Sequence, residues 1–263
     1  MSVAYAASPG GAQGGELNIG AVILHHVLDT NYGITLFGIN LSITKHVVMM
    51  WIVSALLIVT FYVAFRKRDL VPRGIANLLE AIVVFLRDEV ILPNMGEEGR
   101  RYLPYLLTVF FFILFCNLLG LVPGAATATG NVSVTAALAT ISLIMIQVGG
   151  IKQHGLKHHL QNLIPHGLPT WLLPIMIPVE IMGQFTKPFA LCIRLFANMT
   201  AGHIVILSFL SMIFILKSIF VSPVSVFFAL FISLLEIFVA FLQAYIFTML
   251  TSLFIGMSIH PQH

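Results

Sequence analysis

Twenty residues from His46 to Phe65 (HVVMMWIVSALLIVTFYVAF) pass without one Asp, Glu, Lys or Arg. A helix of that length reaches about 30 Å, the thickness of a bilayer's hydrocarbon core. Similar runs recur, from about Tyr102 to Val122 and from about Val132 to Val148. Together they leave 59% of the 263 residues apolar and only 9% charged. A soluble domain needs a polar shell that 23 charged residues cannot supply. A soluble enzyme, a disordered chain and a collagen-like fibre are thereby excluded. The chain reads as an all-α polytopic membrane protein.

The remaining charges set the topology. Arg66, Lys67, Arg68, Arg73, Arg87, Arg100 and Arg101 lie between the first two spans and are seven of the 13 basic residues. Loops rich in Lys and Arg stay in the cytoplasm, so the N-terminus and the uncharged 123–131 loop are expected outside. Residues 1–20 contain AYA and YAA, but no basic and apolar segment precedes them, so they read as a flexible tail and not as a signal peptide. Cys116 and Cys192 lie inside apolar runs and form no disulfide framework. No basic stretch interleaved with aromatics suggests nucleic-acid binding.

We expect one membrane domain over 1–263. It comprises an outer segment over 1–44, membrane helices over 45–65, 102–123 and 131–150, and a helical hairpin of 171–220 and 224–258. Within the first basic loop, Ile75, Leu78, Leu79, Ile82, Leu86 and Val90 repeat at helical spacing. They predict an amphipathic helix over 74–92, lying on the membrane surface or on a partner subunit. The hairpin segments are too long to stand upright. Fifty helical residues would reach about 75 Å and thirty-five about 52 Å. About five membrane helices result, the last two strongly tilted.

The hairpin also holds the expensive residues: Glu180, Lys187, Arg194, His203, Lys217 and Glu236. A charge at mid-membrane costs about 2.5 kcal/mol or more, so such residues face protein or water and serve function. Lys217, beside the turn at Ser222-Pro223, can snorkel to the interface. Arg194 cannot escape by losing its proton and needs a polar or anionic partner. Glu180, Lys187 and Arg194 are spaced by sevens and share one helical face, which Asn198 continues. Glu236 and Gln243 share a face of the last helix. Either these groups pair to glue helices together, or they line an ion path.

In order and spacing these residues resemble subunit a of the F-type ATP synthases. The resemblance is carried by Pro178-Val179-Glu180, Lys187-Pro188, Ile193-Arg194-Leu195-Phe196-Ala197-Asn198-Met199, Ala201-Gly202-His203 and Leu242-Gln243-Ala244-Tyr245-Ile246-Phe247. Asn117-Leu118-Leu119-Gly120-Leu121-Val122-Pro123 and the following GNVSVT resemble the family's outer hairpin. The resemblance spans roughly residues 21–258. It implies the stator half of a rotary proton channel, with no cofactor, no metal and no catalytic chemistry of its own. Its partners would be a ring of c subunits, a b-subunit stator, through them the soluble catalytic head, and the lipid bilayer. Two offset half-channels would lead H+ to and from the ring carboxylates; Na+ stays open, because the ring chooses the ion.

By the same resemblance Arg194 is the essential barrier and ring-carboxylate partner, and Gln243 positions it. Glu180 belongs to the cytoplasmic half-channel. His203 and Glu236 form the outer pair, exchanged relative to many bacterial relatives. Asn117, Asn131 and Asn198 line the water path. A ring-facing side is expected through Leu195 and Asn198. The implied location is a bacterial plasma membrane, N-terminus outside and C-terminus in the cytoplasm.

Two rivals make other demands. A secondary transporter or antiporter would need an internal repeat with broken helices in both halves, which the sequence lacks. A haem-bearing anchor would need histidines at matched depths on facing helices. Only His46 and His203 lie near spans, while His25, His26, His154, His158, His159 and His166 lie in loops.

Overall fold

A computed structural model describes residues 31–36, 39–66, 73–122, 127–161, 173–216 and 221–260. Residues 1–20, His25, His26, Lys67, Arg68, Pro123, Gly124, His166 and Lys217 lie outside the described residues. So do the side chains of His154, His158, His159, Glu180 and His203, whose backbones are helical.

The chain is built from long apolar helices. They are α1 (Lys45–Phe65), α2 (Ile75–Phe85), α3 (Gly99–Gly120), α4 (Val132–Gln161), α5 (Leu173–Leu216) and α6 (Val221–Ile259). Five stretches are long and apolar enough to cross a membrane: Lys45–Phe65, Ile75–Gly120, Val132–Gln153, Met182–Phe209 and Pro223–Ile259. An all-α multi-pass membrane protein is the result.

One small sheet departs from it. β1 (Asn31–Leu36) pairs antiparallel with β2 (Ile39–Thr44), in register from Asn31 opposite Thr44 to Leu36 opposite Ile39. The signal is in the sequence: Ile34, Leu36, Ile39, Leu41 and Ile43 alternate with other residues at the strand period.

α1 stands at the periphery. Val53 is the buried residue of α1 and packs with Cys116 and Ala128. Phe61 meets Phe111 of α3 edge to face, with ring centres 5.0 Å apart. Such apolar exposure as Ile58 and Tyr62 show is stable only in lipid or against another chain.

α2 and the turn after it turn most of the expected stripe inward: Leu79, Leu86 and Val90 enter the main core and Ile82 packs against it, while Ile75 and Leu78, at the start of the helix, are exposed. A π-helical turn, Leu86–Ile91, follows α2 and leads into Leu92–Met95. It exposes Arg87 and Asp88, which pair at 2.7 Å. The surface helix is therefore docked on its own bundle along one side and bare on the other.

α4 runs past Gly149-Gly150, the expected stop, to Gln161, with its non-helical break at Gly155 (φ 74°). Gly149 serves packing and not a helix stop, since a Cβ there would stand 3.2 Å from the Tyr102 hydroxyl. α3 to α6 form the bundle. Tyr105 bonds Ser142 across α3–α4, Gln147 donates to Gln184 across α4–α5 at 2.5 Å, and Ser258 donates to the Ile146 carbonyl across α6–α4.

α5 and α6 make an antiparallel hairpin. Contacts advance along one helix as they retreat along the other: Lys187 over Phe254, Asn198 on Gln243, Gly202 against Glu236, Phe209 stacked on Phe228. Small residues on α6 allow the approach, with Ser225, Ala229, Ala240 and Ala244 all buried. Pro178 and Pro188 sit inside α5, each removing one helical N–H, which membrane helices tolerate.

Candidate functional site

Arg194 stands at the midpoint of α5, and its surroundings follow from the helix period. Leu191 and Leu195, four apart, are buried against Ala244 and Phe247 of α6. Ile193, Arg194, Ala197 and Asn198 point the other way and are exposed. Leu195 (0% exposed) is therefore not on the outward side expected from sequence. Packing with Leu191, Ala244 and Phe247 locks it into the core. Arg194 makes no hydrogen bond or ion pair with any described residue.

One turn further, the exposed Asn198 donates from Nδ2 to Gln243 Oε1 at 2.8 Å. Gln243 is buried at 2% exposure, and its Nε2 finds no acceptor among the described residues. Leaving a buried donor unmade costs about 1–3 kcal/mol. The expected contact of Gln243 with Arg194 is thus taken by Asn198, a neighbour on the same face.

Another turn along, α5 and α6 touch at Gly202 and Glu236. A Cβ on Gly202 would overlap the Glu236 carboxylate, which is 7% exposed. Gly202, the residue before His203 in sequence, makes the space in which this acid lies. Lys187, two turns before Arg194, rests its ammonium 5.1 Å from the centre of the Phe254 ring. A cation over an aromatic face is held without a carboxylate.

Asn117 and Asn131 are engaged in a different way. Asn117 is fully buried. Its Oδ1 accepts from Thr129 Oγ1 at 2.7 Å and its Nδ2 donates to the Ala240 carbonyl at 3.4 Å. Asn131 opens α4, accepting from the Ser133 N–H at 2.8 Å. It also borders a cavity of about 480 Å3 with Thr44, His46, Met50, Phe112 and Ser133. His46 Nδ1 lies 3.1 Å from the Thr127 carbonyl.

The structure brings Arg194, Asn198, Gln243 and Glu236 onto one hairpin, with Asn117 at its flank. Sequence reasoning missed Thr129 and Gly202 as contributors. Gly202 was legible only as part of a motif, and Thr129 carried no signal at all, because its partner is twelve residues away across a turn.

Such an arrangement offers a fixed cation at the midpoint of a long apolar helix, a buried acid at Glu236 further along the hairpin, and uncharged amides between. The family model for the ATP synthase A chain matches residues 47–256. The chain is 51% identical over 269 residues to ATP synthase subunit a of Chlorobium phaeobacteroides (strain DSM 266), covering 95% of this chain and 78% of that one. It is 53% identical over 266 residues to ATP synthase subunit a 2 of Prosthecochloris aestuarii, covering 94% and 82%. It is 56% identical over 230 residues to ATP synthase subunit a of Myxococcus xanthus, covering 86% and 75%.

Proposed function

This chain belongs to the ATP synthase A chain family, the proton-translocating stator subunits of the synthase, and on that premise we propose how its own residues move protons. Arg194 is the barrier between two half-channels and the partner of a ring carboxylate. The observation that carries this reading is a mid-helix arginine, exposed, with no partner among the described residues. A guanidinium stays charged at every working pH, so it needs an anion that the chain itself does not supply. A ring carboxylate, costly to expose to lipid, is such an anion.

The same charge repels a proton crossing directly between the half-channels. That leak would dissipate about 2.3 kcal/mol per proton per 100 mV. Glu236 and His203 receive protons on the outer side, a carboxylate and an imidazole being groups that can take up and release them. Glu180 serves the inner side. The exposed Asn198 steers the incoming carboxylate, and the buried Gln243 positions it. Asn117 and Asn131 border the outer route without carrying protons. The chain does no catalytic chemistry alone. It acts with the c ring and, through the b stator, with the soluble head, in a bacterial plasma membrane with its N-terminus outside.

The test is ATP-driven proton pumping in inverted vesicles carrying the complex. Arg194→Ala should abolish pumping while the subunit stays assembled. Coupled pumping retained in this variant would overturn the assignment.

A further inference from the structure

Thr129 has no part in the roles assigned above, yet it is among the most deeply set polar groups of the chain. It lies in the short 3-10 turn Ala128–Gly130, which enters the bundle between α3 and α4, with Thr127, Ala128 and Thr129 all buried. Gly120 admits this turn, since a Cβ there would overlap the Thr127 side chain. The Thr129 hydroxyl then donates to Asn117 Oδ1 at 2.7 Å, and Asn117 Nδ2 reaches the Ala240 carbonyl of α6.

The position of that last contact matters. Ala240 lies one turn after Glu236 and three residues before Gln243, between the outer acid and the amide that meets Asn198. An amide has an oxygen end and a nitrogen end of nearly equal size. The Ala240 carbonyl only accepts, so it turns the nitrogen toward α6, and the Thr129 hydroxyl, by donating, satisfies the oxygen left facing the turn and braces the amide in that pose. With the amide reversed, Asn117 Oδ1 would meet the Ala240 carbonyl oxygen, acceptor against acceptor.

We propose that Thr129 is a positioning residue of the outer proton route: it fixes the Asn117 amide so that α6 is held in place between Glu236 and Gln243. The inference rests on the function proposed above. It acts through Asn117, which borders the outer route, and carries no proton itself.

The experiment uses the assembled complex in inverted vesicles, reading ATP-driven pumping and, after removal of the soluble head, passive proton flux. Thr129→Val keeps the volume and loses the donor. It should lower both rates by about five- to thirtyfold, the loss expected of one buried hydrogen bond. Thr129→Ser keeps the donor and should retain most of the rate, which a merely space-filling role would not predict. In a double-mutant cycle, Thr129→Val should add little to the loss caused by Asn117→Ala. If the Val variant does not assemble, Thr129→Ala removes the hydroxyl without new bulk and carries the same expectations. Wild-type rates in the donor-free variant, equal losses in Ser and Val, or losses that multiply in the double variant would overturn the proposal. Arg194→Ala in the same vesicles separates the two readings. If it abolishes pumping while Thr129→Val is silent, the positioning role fails alone. If it pumps, the underlying function fails.

Discussion

At the scale of single residues, the deciding contrast is between Glu236 and its neighbour Gly202. The carboxylate occupies the space that any side chain at 202 would need. The atoms met first are the far end of a flexible side chain, so Gly202→Ala displaces the acid and leaves the helices in place. We expect the variant to assemble normally and to pump about ten- to a hundredfold more slowly, the scale on which small misplacements act. Normal pumping, measured beside the amount of assembled complex, would show that the carboxylate's place is not critical. The sequence makes Arg194 legible because a charge amid PFALCI and LFANM is expensive wherever it stands. It does not reveal which partner each amide takes. Gln243 pairs with Asn198, and Asn117 with Thr129, because hydrogen bonds between distant helices depend on depth and rotation that periodicity alone does not supply.

At the scale of elements, the docking of the surface helix turns on one glycine. Gly256 of α6 lies against the backbone of Asn94, where a Cβ would overlap the carbonyl oxygen. Backbone cannot move aside as a side chain can. Around this point Ile91, Met95, Tyr102, Leu106, Ile255 and Ile259 form a compact buried cluster. Gly256→Val should therefore force α2 and its π-helical extension away from α6, at a cost of about 1–3 kcal/mol for overpacking. A lowered melting temperature of the detergent-solubilised complex would report it; an unchanged one would mean that the contact is slack. The helices were legible from apolar run length. That Ile75 and Leu78 at the start of α2 miss the core was not, because periodicity gives a face but not how far along it the packing reaches. The β-hairpin had its alternating signal, but a short segment outside the long apolar runs gives it little weight.

At the scale of the whole molecule, the hairpin of α5 and α6 outruns its support. Asn117, near the end of α3, meets Ala240, so residues 221–239 of α6 extend about 28 Å beyond that level along the helix. Phe227, Leu230, Phe231, Leu234 and Phe238 in this stretch are all more than half exposed. Upright, they would stand in water at a prohibitive loss of apolar burial. They remain in an apolar medium only if the hairpin slants across the bilayer or lies against another chain. The same reasoning picks the side that meets the ring. Ile193, Ala197 and Asn198 share the exposed side of Arg194, while Leu191 and Leu195 face α6. A cysteine at Ala197 should therefore crosslink to a cysteine on the ring's outer helix under mild oxidation. A cysteine at Leu195 should not, since its sulfur would be enclosed between α5 and α6. Crosslinking from 195 but not from 197 would mean that α5 is rotated by about half a turn in the complex, and would place Arg194 away from the ring carboxylate that it is proposed to hold.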